Sequence, residues 1–204
     1  MMTGQIQRAA EFLGFKRRPS GRERLLELFG KGTVGAEIGV HIGDFSAVIL
    51  DAVEPARLHL IDPWHYEGDE QYKESFYGGA GGKSQTAMDR RHKRVCDRFA
   101  AQIERGQVEV HRAFSTDALA AMPDDSLDWV YIDGNHLYDF VKEDLRLALR
   151  KTRPGGYITG DDYGPGGWWK GGVKRAVDEF ARSQPVDLIM IRNAQYALRC
   201  RNER

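Results

Sequence analysis

Two short stretches of this chain gather acidic and imidazole side chains, Asp133-Gly134-Asn135-His136 and Asp161-Asp162-Tyr163. Three carboxylates held close together repel one another unless a cation joins them. An all-oxygen set of Asp133, Asp161 and Asp162 suits a hard divalent ion such as Mg²⁺, with waters or substrate oxygens completing the octahedron. A hydroxyl bound to that ion loses its proton more easily, and His136, close behind Asp133, is placed to accept it. The ordinary imidazole pKa of ~6.5 leaves a neutral ring available near neutral pH. A plainer reading has Asp161 and Asp162 capping a turn, Asp133 reaching a cofactor through water and His136 as a polar surface residue. His41 is a rival base.

The second constellation is Glu37-Ile38-Gly39-Val40-His41-Ile42-Gly43, followed later by Leu60-Ile61-Asp62-Pro63. Glycines at the carboxyl end of a strand let backbone amides approach a ligand, and open α/β sheets bind ligands at that end. A dinucleotide site needs G-x-G-x-x-G to seat a pyrophosphate, whereas here the order is E-x-G-x-x-x-G. Glu37 would repel a pyrophosphate but could accept hydrogen bonds from an ammonium group or from water near a sulfonium. Asp62, closing the next strand, can accept both hydroxyls of a ribose. The pair points to a nucleoside that carries a cationic amino acid. Taken singly, Glu37 could be a surface residue and Asp62 a turn-former before proline.

These residues need a scaffold, and the chain alternates short β-branched runs with longer helical patterns, the signature of a parallel α/β sheet. Strands are expected at Val34–Ile38, Leu58–Ile61, Val108–Val110, Leu127–Ile132 and Gly156–Thr159, with a closing antiparallel hairpin of Asp187–Arg192 and Gln195–Arg201. Helices are expected at Phe45–Ala52, Tyr138–Lys151 and Val173–Ala181, and Arg153-Pro154-Gly155-Gly156 is expected to stop the second of these and turn the chain. Residues 1–30 form an N-terminal helical segment in this reading, with Ser20-Gly21-Arg22-Glu23 as a capping box opening a helix through Leu25, Leu26, Leu28 and Phe29. Residues 64–86, with Gly78-Gly79-Ala80-Gly81-Gly82, are too long for a strand-to-helix connection and too glycine-rich for core, so a lid is expected. Its Tyr66, Tyr72, Phe76 and Tyr77, with Trp168 and Trp169, offer aromatic faces for sugars or planar rings, or for a subunit interface in a homo-oligomer.

Composition narrows the function classes. The chain has 204 residues, enough for one domain, and its 30 basic residues balance its 30 acidic ones, so neither a globally basic nucleic-acid binder nor a disordered acidic tail is suggested. The basic run Met88–Arg94 lacks interleaved aromatics, which favours a solvated helix face over a nucleic-acid platform. No apolar stretch is long enough to span a membrane. Two cysteines without metal spacing and the lack of a secretory pattern fit a reducing cytoplasm.

With those motifs assembled, residues 30 to 165 resemble the class I S-adenosylmethionine-dependent methyltransferases, through Glu37–Gly43, Leu60-Ile61-Asp62 and Asp128–Gly134. The resemblance implies a doubly wound, mainly parallel seven-stranded α/β sheet with its last strand antiparallel. It also implies S-adenosylmethionine lying across the first, second and fourth strands, held by Glu37, Gly39, Val40, His41, Gly43 and Asp62. Phe114, Ser115 and Thr116 would flank the adenine, and Asp133 would lie near the methionine portion; Ser115 and Thr116 also suit a helix cap. Asp133 with Asp161-Asp162 resembles the magnesium-assisted catechol-type O-methyltransferases. The wording from Ile132 to Tyr138, then Pro154-Gly155-Gly156 and Asp161-Asp162-Tyr163, is similar to the bacterial O-methyltransferases of macrolide and aminocoumarin sugars. A lysine base of the catechol type is His136 here. The implied acceptor is a small hydroxylated molecule, and the alternatives are a metal-independent methyltransferase or a cofactor-binding regulatory protein without chemistry.

Overall fold

The computed structural model describes residues 21–79 and 84–202. Seven strands form one sheet: β1 (Val34–Ile38), β2 (Arg57–Ile61), β3 (Val108–His111), β4 (Leu127–Ile132), β5 (Thr152–Gly160), β6 (Val186–Arg192) and β7 (Gln195–Cys200). Their order across the sheet is β3-β2-β1-β4-β5-β7-β6. β1 to β5 are parallel, and β7 runs antiparallel between β5 and β6. This is the class I methyltransferase arrangement, and strand order reverses between β1 and β4, where such sheets open a ligand crevice.

Helices cover both faces: α1 (Gly21–Leu25), α2 (Asp44–Val53), α3 (Gln85–Arg98), α4 (Ala100–Glu104), α5 (Ser115–Ala121), α6 (Tyr138–Lys151) and α7 (Gly172–Ser183). Strand alternation assigns side chains to two cores. Ala36, Ile38, Val130 and Ile132 face Leu119, Val141, Leu145 and Val177, whereas Leu58, Leu60, Trp129 and Tyr131 face Leu25, Ile49 and Val95. Phe29 stacks on Trp129 with ring centroids 4.3 Å apart. Gly35 lies under that indole, where a Cβ would stand 2.1 Å from it.

Three expectations are corrected by the packing. The helix of α1 gives way at Leu26–Leu28 to a 3₁₀ turn and Phe29 is extended, which turns its ring onto Trp129; the capping serine, Ser20, and residues 1–20 lie outside the described residues. β5 begins at Thr152, so Arg153–Gly156 belongs to the strand and does not precede it. A register shift between Leu127 and Trp129, with Gly155 at φ +79°, absorbs the extra residues. The segment after β2, expected to be too glycine-rich for core, does contribute core side chains: Trp64 is fully buried and Tyr72 nearly so. Residues 80–83 of the expected lid lie outside the described residues.

Candidate functional site

Four parallel strands end in one row. Ile38 is in register with Ile61 on one side and with Ile132 on the other, and Ile132 pairs with Gly160. The residues just beyond that row, Gly39–Gly43, Asp62, Asp133–His136 and Asp161-Asp162, therefore share one edge of the sheet.

The β1 end is built by backbone. Gly39 has φ +89°, and a Cβ there would stand 1.9 Å from the Asp133 carbonyl oxygen, so only glycine lets the two loops touch. His41 at φ +55°, Trp64 at φ +40° and Asp162 at φ +59° hold the left-handed conformation without being glycine, a strain that collects at functional sites. Asp62 organises this half. Its Oδ2 accepts the amides of Val40 (3.0 Å) and His41 (2.9 Å), its Oδ1 accepts the amide of Trp64 (2.7 Å), and the Tyr77 hydroxyl donates to Oδ2. Burial pushes the Asp62 pKa up while those four donors oppose it. Gly43, at φ +77°, precedes α2. Glu37 is buried and accepts from Ser46 Oγ at 2.5 Å; burial pushes its pKa up to about 8, against that bond.

The β4–β5 end is built by side chains. His136 Nε2 lies 2.9 Å from Asp162 Oδ2 and 3.4 Å from Asp133 Oδ1. Burial works against its charge, yet the hydrogen bonds and charges of the two aspartates raise its pKa to about 9. Its Nδ1 is buried with no hydrogen-bond partner among the described residues, as is His41 Nε2. Asp161 turns elsewhere: Arg22 Nε donates to its Oδ2 at 3.1 Å, and Gln195 Nε2 donates to its Oδ1. The same guanidinium lies 2.9 Å from Asp133 Oδ2. Of the expected metal-ligating trio, Asp133 and Asp162 thus converge on His136, while Asp161 pairs with Arg22. Among the described residues, Asp133, His136 and Asp162 bring their ligand atoms within 4.8 Å of one another.

Aromatic rings wall this end. His136 lies 4.9 Å from the Trp169 ring and 6.0 Å from Trp168, and Trp168 meets Tyr72 edge-on at 5.4 Å. Asn135 Nδ2 donates to the Tyr72 hydroxyl at 2.9 Å, tying the segment after β2 to the β4 loop. The Phe76 ring lies 5.2 Å from His41, and Tyr77 packs beside it. Of the residues expected around an adenine, Phe114 is exposed and meets His65 at 6.0 Å, and Thr116 is half-buried. Ser115 Oγ donates to buried Asp144 at 2.5 Å.

Sequence reasoning missed Arg22, Gln195 and the contact of Tyr77 with Asp62. Arg22 and Gln195 are separated from Asp161 by 139 and 34 residues, and no local pattern announces such pairing. Tyr77 was visible as a lid aromatic, but its hydroxyl had no assigned partner.

Comparison with known proteins agrees with this geometry. Residues 36–163 match the family described as a methyltransferase domain. No curated protein matches the chain significantly. Similar solved structures include a protein of Corynebacterium glutamicum, with TM-score 0.63, 17% identity and coverage of 98% of this chain and 90% of that one. The O-methyltransferase TomG of Streptomyces achromogenes, involved in tomaymycin synthesis and solved with S-adenosylmethionine, gives TM-score 0.60, 17% identity and coverage of 97% and 87%. The N-methyltransferase NodS of Bradyrhizobium japonicum gives TM-score 0.57, 15% identity and coverage of 88% and 94%. At such identities these likenesses speak for the fold. The family match spans most of the sheet and both halves of the site, and the chain belongs to the methyltransferase domain family as an S-adenosylmethionine-dependent methyltransferase of the class I fold.

Proposed function

We propose that this protein transfers the methyl group of S-adenosylmethionine to a hydroxyl of a small molecule, such as a sugar or natural-product intermediate, in the cytoplasm and with the help of a divalent cation. The observation that carries the reading is the His136 imidazole held between Asp133 and Asp162 beneath Trp168 and Trp169.

The cofactor fits the β1–β2 half. Asp62 already accepts an O–H there, from Tyr77, which is the bond a ribose hydroxyl would make once that tyrosine withdraws. Gly39, Val40, His41 and Gly43 leave backbone next to the cofactor, Asp133 supplies negative charge near its cationic end, and Glu37, kept largely protonated near neutral pH by burial, offers a carboxyl for hydrogen bonding. Cation chemistry fits the other half in its donor set: Asp133 and Asp162 would hold Mg²⁺, and Asp161 would join them on release from Arg22. When bound, such an ion lowers the pKa of a hydroxyl and offsets the charge of the aspartates.

The two aspartates keep the His136 ring charged near neutral pH in the free protein; with their charge offset, the ring would release that proton and its free nitrogen could accept the proton of the acceptor hydroxyl. The acceptor oxygen attacks the methyl carbon, the carbon–sulfur bond breaks with its electron pair staying on sulfur, and a neutral thioether leaves. Tyr72, Trp168 and Trp169 hold the acceptor by its flat or apolar faces and exclude water. Aromatic faces gathered beside one imidazole suit a small molecule rather than nucleic acid or a membrane surface.

A metal-independent route is favoured by one observation: Arg22 already offsets the charge of Asp133 and Asp161. There His136 Nε2–H would be held by the two aspartates and, once pH approaches the ring's pKa of about 9, the unpartnered Nδ1 would take the proton, the arrangement of a base oriented by a carboxylate. Methyl transfer from labelled S-adenosylmethionine to a panel of hydroxylated and amine acceptors, before and after EDTA, separates the readings. Turnover on hydroxyls that disappears with EDTA and returns with Mg²⁺ supports the leading one. Turnover that survives verified metal removal selects the second, and turnover on amines alone overturns both.

A further inference from the structure

A separate group of metal-ligating side chains lies at the other end of the sheet, on β2 and the edge strand β3. β2 and β3 are parallel, with His59 opposite Glu109 and Ile61 opposite His111. Residues two apart on a strand share a face, so Glu109 and His111 stand on the same side as His59. His59 Nδ1 is 3.0 Å from His111 Nε2 and 3.5 Å from Glu109 Oε2, and His111 Nε2 is 3.7 Å from Glu109 Oε1.

We propose that His59, Glu109 and His111 form a binding site for a divalent transition-metal ion of borderline softness, Zn²⁺ in the first instance, with a fourth position open to water. A tetrahedral ion with bonds of ~2.0–2.1 Å sets its donors about 3.3 Å apart; the two imidazole nitrogens lie 3.0 Å apart, and the Glu109 carboxylate faces them with one oxygen 3.5 Å from His59 and the other 3.7 Å from His111. Two imidazoles and one carboxylate are a donor set that zinc takes with a solvent molecule in the remaining position. Access is available: the side chains of His59 and His111 are 12% and 22% exposed and that of Glu109 is 52% exposed.

A neutral imidazole keeps one ring proton. Binding requires only that the facing nitrogens offer lone pairs, with the ring protons on the outer nitrogens. Without an ion, the same contact is a hydrogen bond between two imidazoles, which needs no carboxylate beside it. The site lies under the cofactor half, since the Asp62 amide donates to the His111 carbonyl at 3.1 Å. An ion here would clamp the edge strand to β2 beside the strand end that carries Asp62.

The test uses the full chain stripped of metal. Zn²⁺ binding is measured by equilibrium dialysis with elemental analysis, and Co²⁺ absorption reports low-coordinate nitrogen and oxygen ligation. His136→Gln removes the other cluster and should keep one Zn²⁺ equivalent. His111→Gln should weaken that equivalent by about 100-fold or more, and Glu109→Gln by about 10-fold or more. Glu109 is exposed, so its variant keeps the test informative if His111→Gln does not fold. An equivalent that survives both substitutions, one lost with His136→Gln alone, or no binding at 100-fold excess Zn²⁺ overturns the proposal.

Discussion

The two halves of the candidate site are made differently. Beyond β1 and β2, the geometry is fixed by main chain: three backbone amides converge on Asp62, and Gly39 lies against the Asp133 carbonyl. Beyond β4 and β5, it is fixed by charged side chains, with His136 between Asp133 and Asp162, and Arg22 between Asp133 and Asp161. Main-chain bonds carry little choice once the strand ends are in register. Ion pairs can trade partners when a ligand arrives, so the second half is the adaptable one.

Substitutions should expose that contrast, and the largest effect belongs to the side-chain half. His136→Ala is expected to lower kcat about 10²- to 10⁴-fold, the usual scale for a positioned base, with cofactor affinity nearly unchanged. Steady-state kinetics on an accepted hydroxyl, with calorimetry for the cofactor, checks both numbers. Near-native kcat across the pH range would move the base elsewhere, with His41 next in line.

In the main-chain half, Asp62→Ala should damage fold and binding together. It leaves the amides of Val40, His41 and Trp64 without their buried acceptor, at about 2–4 kcal/mol of stability, and removes the acceptor for the ribose. Denaturant melts and cofactor calorimetry should both shift. If the variant binds the cofactor normally, the ribose assignment fails. Asp162→Ala, which frees no buried amide but removes one of the two carboxylates paired with His136, should cost about 1.5–3 kcal/mol by the same melts.

A further effect concerns Ser115, which the family resemblance places beside an adenine and the structure bonds to Asp144. Burial pushes the Asp144 pKa up to about 7, against the Ser115 bond. In the unfolded chain an aspartate ionises near ~3.9. Between those values the folded state keeps a proton that the unfolded chain has lost, so the stability from this group is full below pH ~4 and falls as pH rises to about 7. The slope is at most ~1.4 kcal/mol per pH unit. Asp144→Asn should flatten this part of the stability–pH curve; an unchanged curve would show that Asp144 ionises normally in the folded protein.

The smallest expected effect sharpens the comparison most. Tyr77 donates to the oxygen of Asp62 that a ribose would use, so Tyr77→Phe should tighten cofactor binding roughly 3- to 10-fold, about one hydrogen bond's net worth. Weaker binding in that variant would make Tyr77 part of the cofactor's own site and not its competitor.

What could be read in advance follows the same division. The ends of β1, β2, β4 and α6 were legible because apolar periodicity and glycine punctuation are local, and the placement of Glu37, Gly39 and Asp62 along one edge of the sheet follows because they sit at the ends of β1 and β2. The early start of β5 was hidden, since Pro154-Gly155-Gly156 ordinarily stops a strand and only the bulge beside Leu127 accommodates it. Trp64 was hidden inside a glycine-rich stretch whose average composition says loop, although its indole donates to the His41 carbonyl at 2.8 Å. Arg22 arrives from a helix far away in sequence, and distance along the chain says nothing of which carboxylate it meets.

Tryptophan divides between the frame and the site, which gives the protein two built-in optical reporters. Trp64 and Trp129 are fully buried, the latter against Phe29, whereas Trp168 and Trp169 are half-buried beside His136. A charged imidazole quenches neighbouring indole emission, so the second pair should be dim in the free protein and brighten when the ring loses its proton or an acceptor separates them. The first pair should stay constant until the sheet melts. Emission could then follow acceptor binding without a label, in the same cuvette and at a wavelength that also records unfolding.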